Sequence, residues 1–253
     1  MIKLLISGAK GKMGKKVYEA CLGDSDIKAV CGVNIDEDFS NPDYPIYSSF
    51  ANVKEEVDVI IDFSSPLALG GLLEFATKNG VPAVLCSTGY SEDDLANIKK
   101  ASEKIAIFRS ANMSLGVNVL IRAVKQVTSA LGGFDIEIIE KHHNQKADAP
   151  SGTALMLANA VKEILPEKYY VYGREGITGK RDKKEIGIHA IRGGNIVGEH
   201  DVIFAGENET LTFSHHASDR SVFANGAIKA AKYIANKKQG LFDMNDLLSE
   251  INA

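Results

Sequence analysis

The residues best suited to chemistry lie in one stretch near the middle of the chain, EKHHNQKADAPSGTA at 140–154. His142 and His143 end an alternating strand pattern, and histidine is the side chain best able to exchange protons near neutral pH. Lys146 follows in a polar loop, where it can hold a carboxylate or donate a proton. These residue types predict acid–base chemistry on a small carboxylated molecule.

A helix is predicted to begin directly after this loop, because Ala154, Leu155, Ala158 and Val161 fall at helical spacing. Its N-terminal Ser-Gly-Thr carries unpaired N–H groups, which makes a ready anion site. A polar loop that merely caps the helix is the alternative interpretation. A metal site using a second histidine pair, at 215–216, is another. The metal site is disfavoured because no cysteine or carboxylate recurs at ligand spacing.

A glycine-rich turn, GAKGKMG at 8–14, joins an apolar strand to a helical pattern. Glycines permit a tight turn and close backbone approach to a pyrophosphate at the helix N-terminus. The spacing is GxxGxxG rather than GxGxxG, so a turn without a ligand stays open as an alternative. At the end of the second strand, Asn34 or Asp36 could bind the adenosine ribose of a dinucleotide. Asn34 would not repel a 2′-phosphate, and Lys10 and Lys12 add positive charge nearby.

The elements that position these residues change in character near residue 112. Before it, nearly continuous apolar strands alternate with helical patterns, which indicates a parallel sheet covered on both faces. The predicted strands and helices are Ile2–Ser7, a helix through Met13 to Cys21, Ile27–Val33, Val57–Phe63, helix Leu67–Asn79, Val81–Cys86, helix Ser91–Glu103 and Ile105–Arg109.

Beyond this point an amphipathic helix through Leu120 to Leu131 is followed by alternating strands at 134–138, 186–192, 199–205 and 209–215. A last helix, Phe223–Ala235, could return to the first part. We therefore expect an α/β fold with an N-terminal Rossmann-like, dinucleotide-binding domain (1–112 and 221–253). The C-terminal α+β domain (113–220), with an open mixed sheet, is expected to bind substrate and form oligomers.

The composition narrows the functional class. The 253 residues are 45% hydrophobic and carry a net charge of −4, which argues against a nucleic-acid-binding surface. Three scattered cysteines make a disulfide framework improbable on count alone. The N-terminus lacks a signal-peptide pattern, and no apolar run is long enough to cross a membrane. These features predict a cytoplasmic protein without a membrane partner.

Together the motifs resemble the 4-hydroxy-tetrahydrodipicolinate reductase family over essentially the whole chain. The central run fits the family signature ExHHxxKxDxPSGTA. Further family-like stretches occur in the same order: GAKGKMG at 8–14, IDFSSP at 61–66, STG at 87–89, SANMSLGVN at 110–118, IRGGNIVGEH at 191–200, and FANGA and GLFDM near the end.

The resemblance implies roles for individual residues. His142 would be the proton donor and acceptor, and Lys146 a second proton donor. Substrate binding would fall to His143, Ser151, Gly152 and Thr153. NADH or NADPH would lie along Gly8, Ala9, Lys10, Gly11, Lys12 and Met13, then Cys86, Ser87 and Thr88, then Ser110, Ala111, Asn112 and Met113, with Asn34 and Asp36 near the ribose. No metal is implied.

The sequence departs from the family pattern at three places. Cys-Ser-Thr stands at 86–88 where relatives often have Gly-Thr-Thr, and Met113 where they often have Phe. Asn34 stands near a position where many relatives carry an acid, which leaves both NADH and NADPH open.

The implied reaction loses water from a cyclic hydroxylated dicarboxylate, adds hydride at ring carbon 4, and protonates the resulting enamine from His142. The resemblance also implies a homotetramer. Two alternative hypotheses for the function are considered. Another two-domain dehydrogenase of amino or hydroxy acids would have no reason to carry HHxxKxDxPSGT. A non-catalytic NAD(H) sensor is disfavoured by the acidic pI and by the lack of a recognisable helix-turn-helix.

Overall fold

The computed structural model describes residues 1–35 and 43–251. The chain divides into two compact units, Met1–Leu115 with Arg220–Ala253 (unit 1) and Gly116–Asp219 (unit 2). The described elements in chain order are β1 (Ile2–Ser7), α1 (Lys12–Leu22), β2 (Ile27–Val33), β3 (Ile46–Tyr47), β4 (Val59–Asp62), α2 (Leu69–Asn79), β5 (Ala83–Leu85), α3 (Glu92–Ser102), β6 (Ala106–Arg109), α4 (Leu115–Ala130), β7 (Asp135–His142), α5 (Gly152–Ile164), β8 (Tyr169–Tyr172), β9 (Glu185–Arg192), β10 (Gly198–Ala205), β11 (Thr210–Ala217), α6 (Ser221–Ile234), β12 (Gly240–Phe242) and α7 (Met244–Ile251).

Unit 1 is built on a parallel sheet whose described strands run in the order β12-β6-β5-β4-β1-β2-β3. The register aligns Ser7 with Asp62, Asp62 with Leu85, and Leu85 with Arg109. The carboxyl ends of four adjacent strands therefore meet at one edge, directly before the glycine turn and the predicted cofactor loops. The parallel Rossmann-like sheet expected from the sequence is confirmed.

The central positions of these strands are apolar because both faces of the sheet are covered, and the polar side chains lie near the strand ends. Leu4 and Ile6 enter a core with α1 and α6, whereas Leu5 and Ile60 enter a second core with α2 and α3. All four side chains are fully buried. The helix α6 returns to unit 1, so the chain leaves this unit after Leu115 and re-enters it near Arg220.

Unit 2 contains a mixed sheet in the order β11-β10-β7-β9-β8, in which β7 pairs antiparallel with β10 and parallel with β9. Alternate residues of β7 are buried, and Ile136 and Ile138 pack against α4 and α5. The open mixed sheet predicted for this part is confirmed.

The sequence patterns missed the shortest or least periodic elements. The strands β3, β8 and β12 have two, four and three residues, and β12 extends the parallel sheet beside β6. The C-terminal helix α7 was also not predicted. The three strands are too short to show a pattern that can be recognised. No helix in the described part of the chain is both long and apolar enough to span a bilayer.

Candidate active site

The buried face of β7 changes from apolar to ionisable toward the carboxyl end of the strand. Ile136 and Ile138 lie in the core of unit 2, and Glu140 and His142 follow on the same face at the period of two expected for a strand. Glu140 is fully buried and the His142 side chain is 11% exposed. Buried ionisable side chains need specific partners, and these two have them.

Glu140 is the centre of a hydrogen-bonded cluster drawn from four segments of the chain. Its carboxylate accepts bidentate hydrogen bonds of 2.7 Å from both Nη atoms of Arg192. Oε2 also lies 2.7 Å from Nδ1 of His142, and Oε1 accepts from the backbone N–H of Ser151 at 2.9 Å. Arg192 further donates to the carbonyl oxygen of Asp148. The cluster thus ties β7, β9, the 143–150 loop and the start of α5 together.

The electrostatics of this cluster fix the protonation of its members. Burial opposes ionisation of Glu140, but hydrogen bonds from Arg192, His142 and Ser151 outweigh it and hold the pKa of Glu140 below its ordinary value. An ionised carboxylate can only accept, so Nδ1 of His142 carries the proton that it shares with Glu140. Burial lowers the pKa of His142, and Glu140 offsets part of that effect. The unliganded imidazole is therefore neutral at pH 7, with Nε2 as its second nitrogen.

Gly198 lies beside the imidazole of His142, where a larger residue would crowd the ring. A Cβ at this position would lie 3.1 Å from Nε2 of His142, closer than ordinary van der Waals contact. Gly198 is the first residue of β10, and a glycine in a strand often marks a close approach of another group. Here the absence of a side chain keeps Nε2 of His142 uncrowded.

Ser151 forms the N-cap of α5, and its Oγ accepts from the N–H of Ala154. The same Oγ lies 3.1 Å from Nε2 of His200, a buried residue on β10. Edge-on contact of the His142 and His200 rings, with centroids 5.2 Å apart, completes this side of the cluster. A Cβ built on Gly152 meets no described atom within 4 Å, so the first turn of α5 has open space beside it.

Lys146 lies in the loop after β7, and its Nζ is 2.7 and 2.9 Å from the two carboxylate oxygens of Asp148. The Lys146 side chain is 20% exposed, whereas that of Asp148 is 63% exposed. The charge of Lys146 acts on His142, whose pKa it helps to lower. His143 follows His142 directly and is partly exposed. A cation and a titratable histidine thus lie close to the N-terminus of α5.

In unit 1 the glycine turn follows the carboxyl end of β1. Gly8 has φ +77°, and a Cβ there would lie 2.8 Å from the carbonyl oxygen of Phe63. A Cβ on Gly14 would lie 2.2 Å from the carbonyl oxygen of Gly8, so only glycine allows this close helix–strand packing. Asn34 Oδ1 accepts from the backbone N–H of Lys10 at 3.3 Å, which places the end of β2 beside the turn.

Asp62, which the sequence analysis did not single out, connects the loops at the same edge. This buried carboxylate accepts from Oγ of Ser87 at 2.8 Å and from both the N–H and the Oγ of Ser64. Ser87 follows β5 and Ser64 follows β4. The loop after β6 is held separately, because Oγ of Ser110 donates to the carbonyl oxygen of Asn112.

The structure therefore gathers the sequence-predicted residues into two groups. One group contains His142, Lys146, Ser151 and their neighbours in unit 2. The other group comprises three loops at the carboxyl edge of the unit 1 sheet, 8–13, 86–88 and 110–113, with Asn34 beside the first. Asp36 lies outside the described residues.

Sequence reasoning quoted the stretches that contain Glu140, Arg192 and His200 but gave these three residues no role. Their ionisable types within family-like motifs were the available signal. Within residues 1–35 and 43–251, no three His, Cys, Asp or Glu side chains are grouped so that they could hold a metal ion.

Comparison with known proteins agrees with the resemblance. The family profile described as dihydrodipicolinate reductase, N-terminus, matches residues 2–113, and the profile described as dihydrodipicolinate reductase, C-terminus, matches residues 116–248. The 4-hydroxy-tetrahydrodipicolinate reductase of Caldanaerobacter subterraneus subsp. tengcongensis is 54% identical, with 99% of each chain covered. The protein of that name from Clostridium tetani is 47% identical over 98% of each chain.

A solved structure shares the fold. It is a dipicolinate-bound dihydrodipicolinate reductase from Paenisporosarcina sp. TG-14, with a TM-score of 0.82 and 23% identity over 97% of this chain and 99% of that one. With both family profiles matched in order over nearly the full length, the chain belongs to the dihydrodipicolinate reductase family.

Proposed function

We propose that this enzyme reduces 4-hydroxy-tetrahydrodipicolinate to tetrahydrodipicolinate with NADH or NADPH, a step of diaminopimelate and lysine biosynthesis. The observation that carries the proposal is the histidine of the family signature, held at Nδ1 by a buried carboxylate near the start of a helix. This arrangement suits a reaction in which a dicarboxylate must be bound and one ring carbon must receive a proton.

Substrate binding is assigned to unit 2. The positive dipole end of α5 is assigned to one carboxylate, at Ser151, Gly152 and Thr153, with the N–H of Ser151 itself already donating to Oε1 of Glu140. Lys146 and His143 are assigned to the second carboxylate. Lys146 forms an ion pair with Asp148. A bound substrate carboxylate would interact with Lys146 together with Asp148 or in place of it. The dipicolinate named for the relative from Paenisporosarcina sp. TG-14 is a planar ring dicarboxylate of the same class.

His142 is assigned as the proton donor. The unliganded imidazole is neutral, because burial lowers its pKa. Two substrate carboxylates beside it favour the protonated form, since a nearby opposite charge raises the pKa of a histidine. Substrate binding therefore loads His142 with the proton that it later delivers. Nδ1 of His142 keeps its hydrogen bond to Glu140, so Nε2 is the nitrogen that transfers the proton.

The loops at the carboxyl edge of unit 1 fit a nicotinamide dinucleotide. Among the described residues no side chain caps the N-terminus of α1, so its N–H groups face the glycine turn and suit a pyrophosphate. The same turn admits no Cβ at Gly8 or Gly14. We assign Asn34 to the adenosine ribose and the loops at 86–88 and 110–113 to the nicotinamide half. When bound, the dinucleotide supplies the hydride, and the protein binds and orients it.

A coupled assay tests this function against its rivals. The labile substrate is generated in situ by the preceding condensation, and oxidation of NADH or NADPH is followed at 340 nm. We expect oxidation that depends on both the generated substrate and this enzyme. A sensor would bind the dinucleotide without turnover, and another dehydrogenase would oxidise it only with a different amino or hydroxy acid. No turnover with freshly generated substrate would contradict the proposal.

We further propose a homotetramer in which the sheet of unit 2 pairs across subunits, and a cytoplasmic location. The three cysteines all lie in described residues as free, buried thiols, which suits a reducing compartment. Light scattering coupled to gel filtration should give a mass four times that of the 27.2 kDa chain. A monomeric mass at micromolar concentration would contradict the assembly.

A further inference from the structure

Glu140 has no assigned role, although it is fully buried and its carboxylate is hydrogen-bonded to Arg192, His142 and Ser151. The two preceding buried positions of β7 are isoleucines, so an apolar side chain would be the ordinary choice at this position of the strand. Burying a carboxylate at a core position is unfavourable unless it is fully paired. Both oxygens of this carboxylate are paired, through bidentate hydrogen bonds from Arg192 and single contacts with His142 and the backbone N–H of Ser151.

We propose that Glu140, held by Arg192, is the positioning residue of the reaction. It fixes the tautomer and the orientation of His142 and anchors the start of α5 at a set distance from it. The inference rests on the proposed function, in which His142 gives a proton and α5 binds a carboxylate. One carboxylate thereby sets the distance between the proton donor and the anion site.

The two carboxylate oxygens of Glu140 have different partners. Oε2 faces Nδ1 of His142 at 2.7 Å, so the imidazole keeps its proton there and presents Nε2. Oε1 accepts from the backbone N–H of Ser151 at 2.9 Å. The Ser151 side chain is held from the other direction by His200, so α5 cannot rotate about this contact without breaking two hydrogen bonds.

Arg192 keeps the carboxylate ionised and in plane. Its two Nη atoms meet the two oxygens of Glu140, and this fork geometry leaves one orientation for the carboxylate. The charges that face His142 are therefore Glu140 from its own strand, Arg192 from β9 and Lys146 from the loop, with the His200 ring from β10 beside it. Glu140 is the sole anion among them and the group that stabilises the imidazolium.

The test is Glu140→Gln, which keeps the volume and removes the charge. We expect kcat to fall about 10- to 100-fold, the size of loss that follows removal of a group that orients a metal-bound histidine. The alkaline limb of the kcat profile should move about one unit to lower pH, since the imidazolium loses its counter-charge. The affinity for NADH, measured by fluorescence, should not change. Glu163→Gln is the matched control, because it removes an exposed carboxylate on α5 that pairs with Lys125.

A double-mutant cycle separates positioning from a merely structural role. In a His142→Gln background, Glu140→Gln should change kcat less than about threefold, because residues that act as a unit are not additive. Multiplicative losses, or an unchanged kcat and alkaline limb in Glu140→Gln, would overturn the proposal. If Glu140→Gln does not fold because Arg192, whose side chain is 20% exposed, loses its counter-charge, Glu140→Gln with Arg192→Met removes both charges, and the same readouts apply.

A spectroscopic readout keeps this inference distinct from the proposed function. In protein labelled with 15N-histidine, the wild type should show His142 in its Nδ1–H tautomer, and Glu140→Gln should mix the tautomers and lower the His142 pKa. This result is expected even if the substrate is another dicarboxylate. An unchanged tautomer and pKa in the variant would refute the role of Glu140 whatever the substrate proves to be.

Discussion

Acidification should destabilise the folded protein through His200, and His200→Gln should remove that part of the pH dependence. His200 is 4% exposed, and burial first, then the charge of His142, lowers its pKa from 6.5 to about 4. Its Nδ1 is buried without a hydrogen-bond partner among the described residues, and the charges of Glu140 and Asp201 offset only part of the cost of the imidazolium. Nε2 already contacts Ser151.

The sign and size follow from linkage. Between pH 6.5 and about 4 the unfolded chain protonates His200 and the folded chain does not, so the free energy of unfolding falls as the pH falls through this window. Above pH 6.5 the effect vanishes, and below about pH 4 it is complete. A shift from 6.5 to about 4 corresponds to about 3 kcal/mol at one pKa unit per 1.36 kcal/mol.

The assay is urea unfolding followed by circular dichroism at several pH values between 8 and 4. We expect the wild type to lose about 3 kcal/mol more than His200→Gln across that range. His216→Gln serves as the control, because His216 lies on the neighbouring strand with a side chain that is 58% exposed, and it should keep the wild-type slope. Equal slopes for the wild type and His200→Gln would refute the argument that burial suppresses protonation here.

Four further outcomes are expected. His142→Gln should lower kcat by roughly 10²–10⁴-fold with little change in NADH affinity, and near-normal turnover would exclude it as the proton donor. Lys146→Met should lower kcat/KM for the dicarboxylate, and an unchanged value would make Lys146 a surface residue. The values of kcat/KM for NADH and NADPH should differ by less than about a hundredfold. Asn34 is neutral and does not repel a 2′-phosphate, and a single charged contact near solvent is worth no more than about 1 kcal/mol. A larger ratio would mean that one charged group near the ribose dominates the preference. Burial raises the pKa of Glu137, but hydrogen bonds from Arg174, Arg181 and His189 outweigh it and hold that pKa at about 2. The ionised Glu137 therefore contributes about 3 kcal/mol to the free energy of unfolding above pH 4.5, and this contribution is lost as the pH falls toward 2. Glu137→Gln should lack this contribution, as measured by acid unfolding.

The fold was predictable where long patterns repeat. The strand Ile2–Ser7 has Leu4, Leu5 and Ile6 in succession, a run that is expected when both faces of a sheet are covered. The alternation from Asp135 to Ile138 likewise indicated a strand with one wetter face. The short edge strand β12 carries no such signal in three residues, and its place beside β6 is decided by tertiary packing.

The candidate site was predictable in its residue types but not in its pairings. A histidine pair, a lysine and a helix start are visible in one stretch, and the glycine turn is visible at the N-terminus. The partner of Glu140 lies 52 residues away at Arg192, and nothing local in the sequence links the two. The buried Asp62 was also overlooked, because a single acidic residue after an apolar run is typical of any strand that ends at the surface.

Strand register explains why these distant residues meet. The parallel pairing of β7 with β9 sets His142 opposite Arg192, and the antiparallel pairing of β7 with β10 sets His200 opposite Glu140. Opposed residues of paired strands share a face, so all four side chains lie on the face that α5 covers. A slip of one residue in either pairing would turn Arg192 or His200 to the other face. The apolar residues that fix the register, Ile136 and Ile138 among them, therefore also determine which carboxylate, arginine and histidine surround the proton donor.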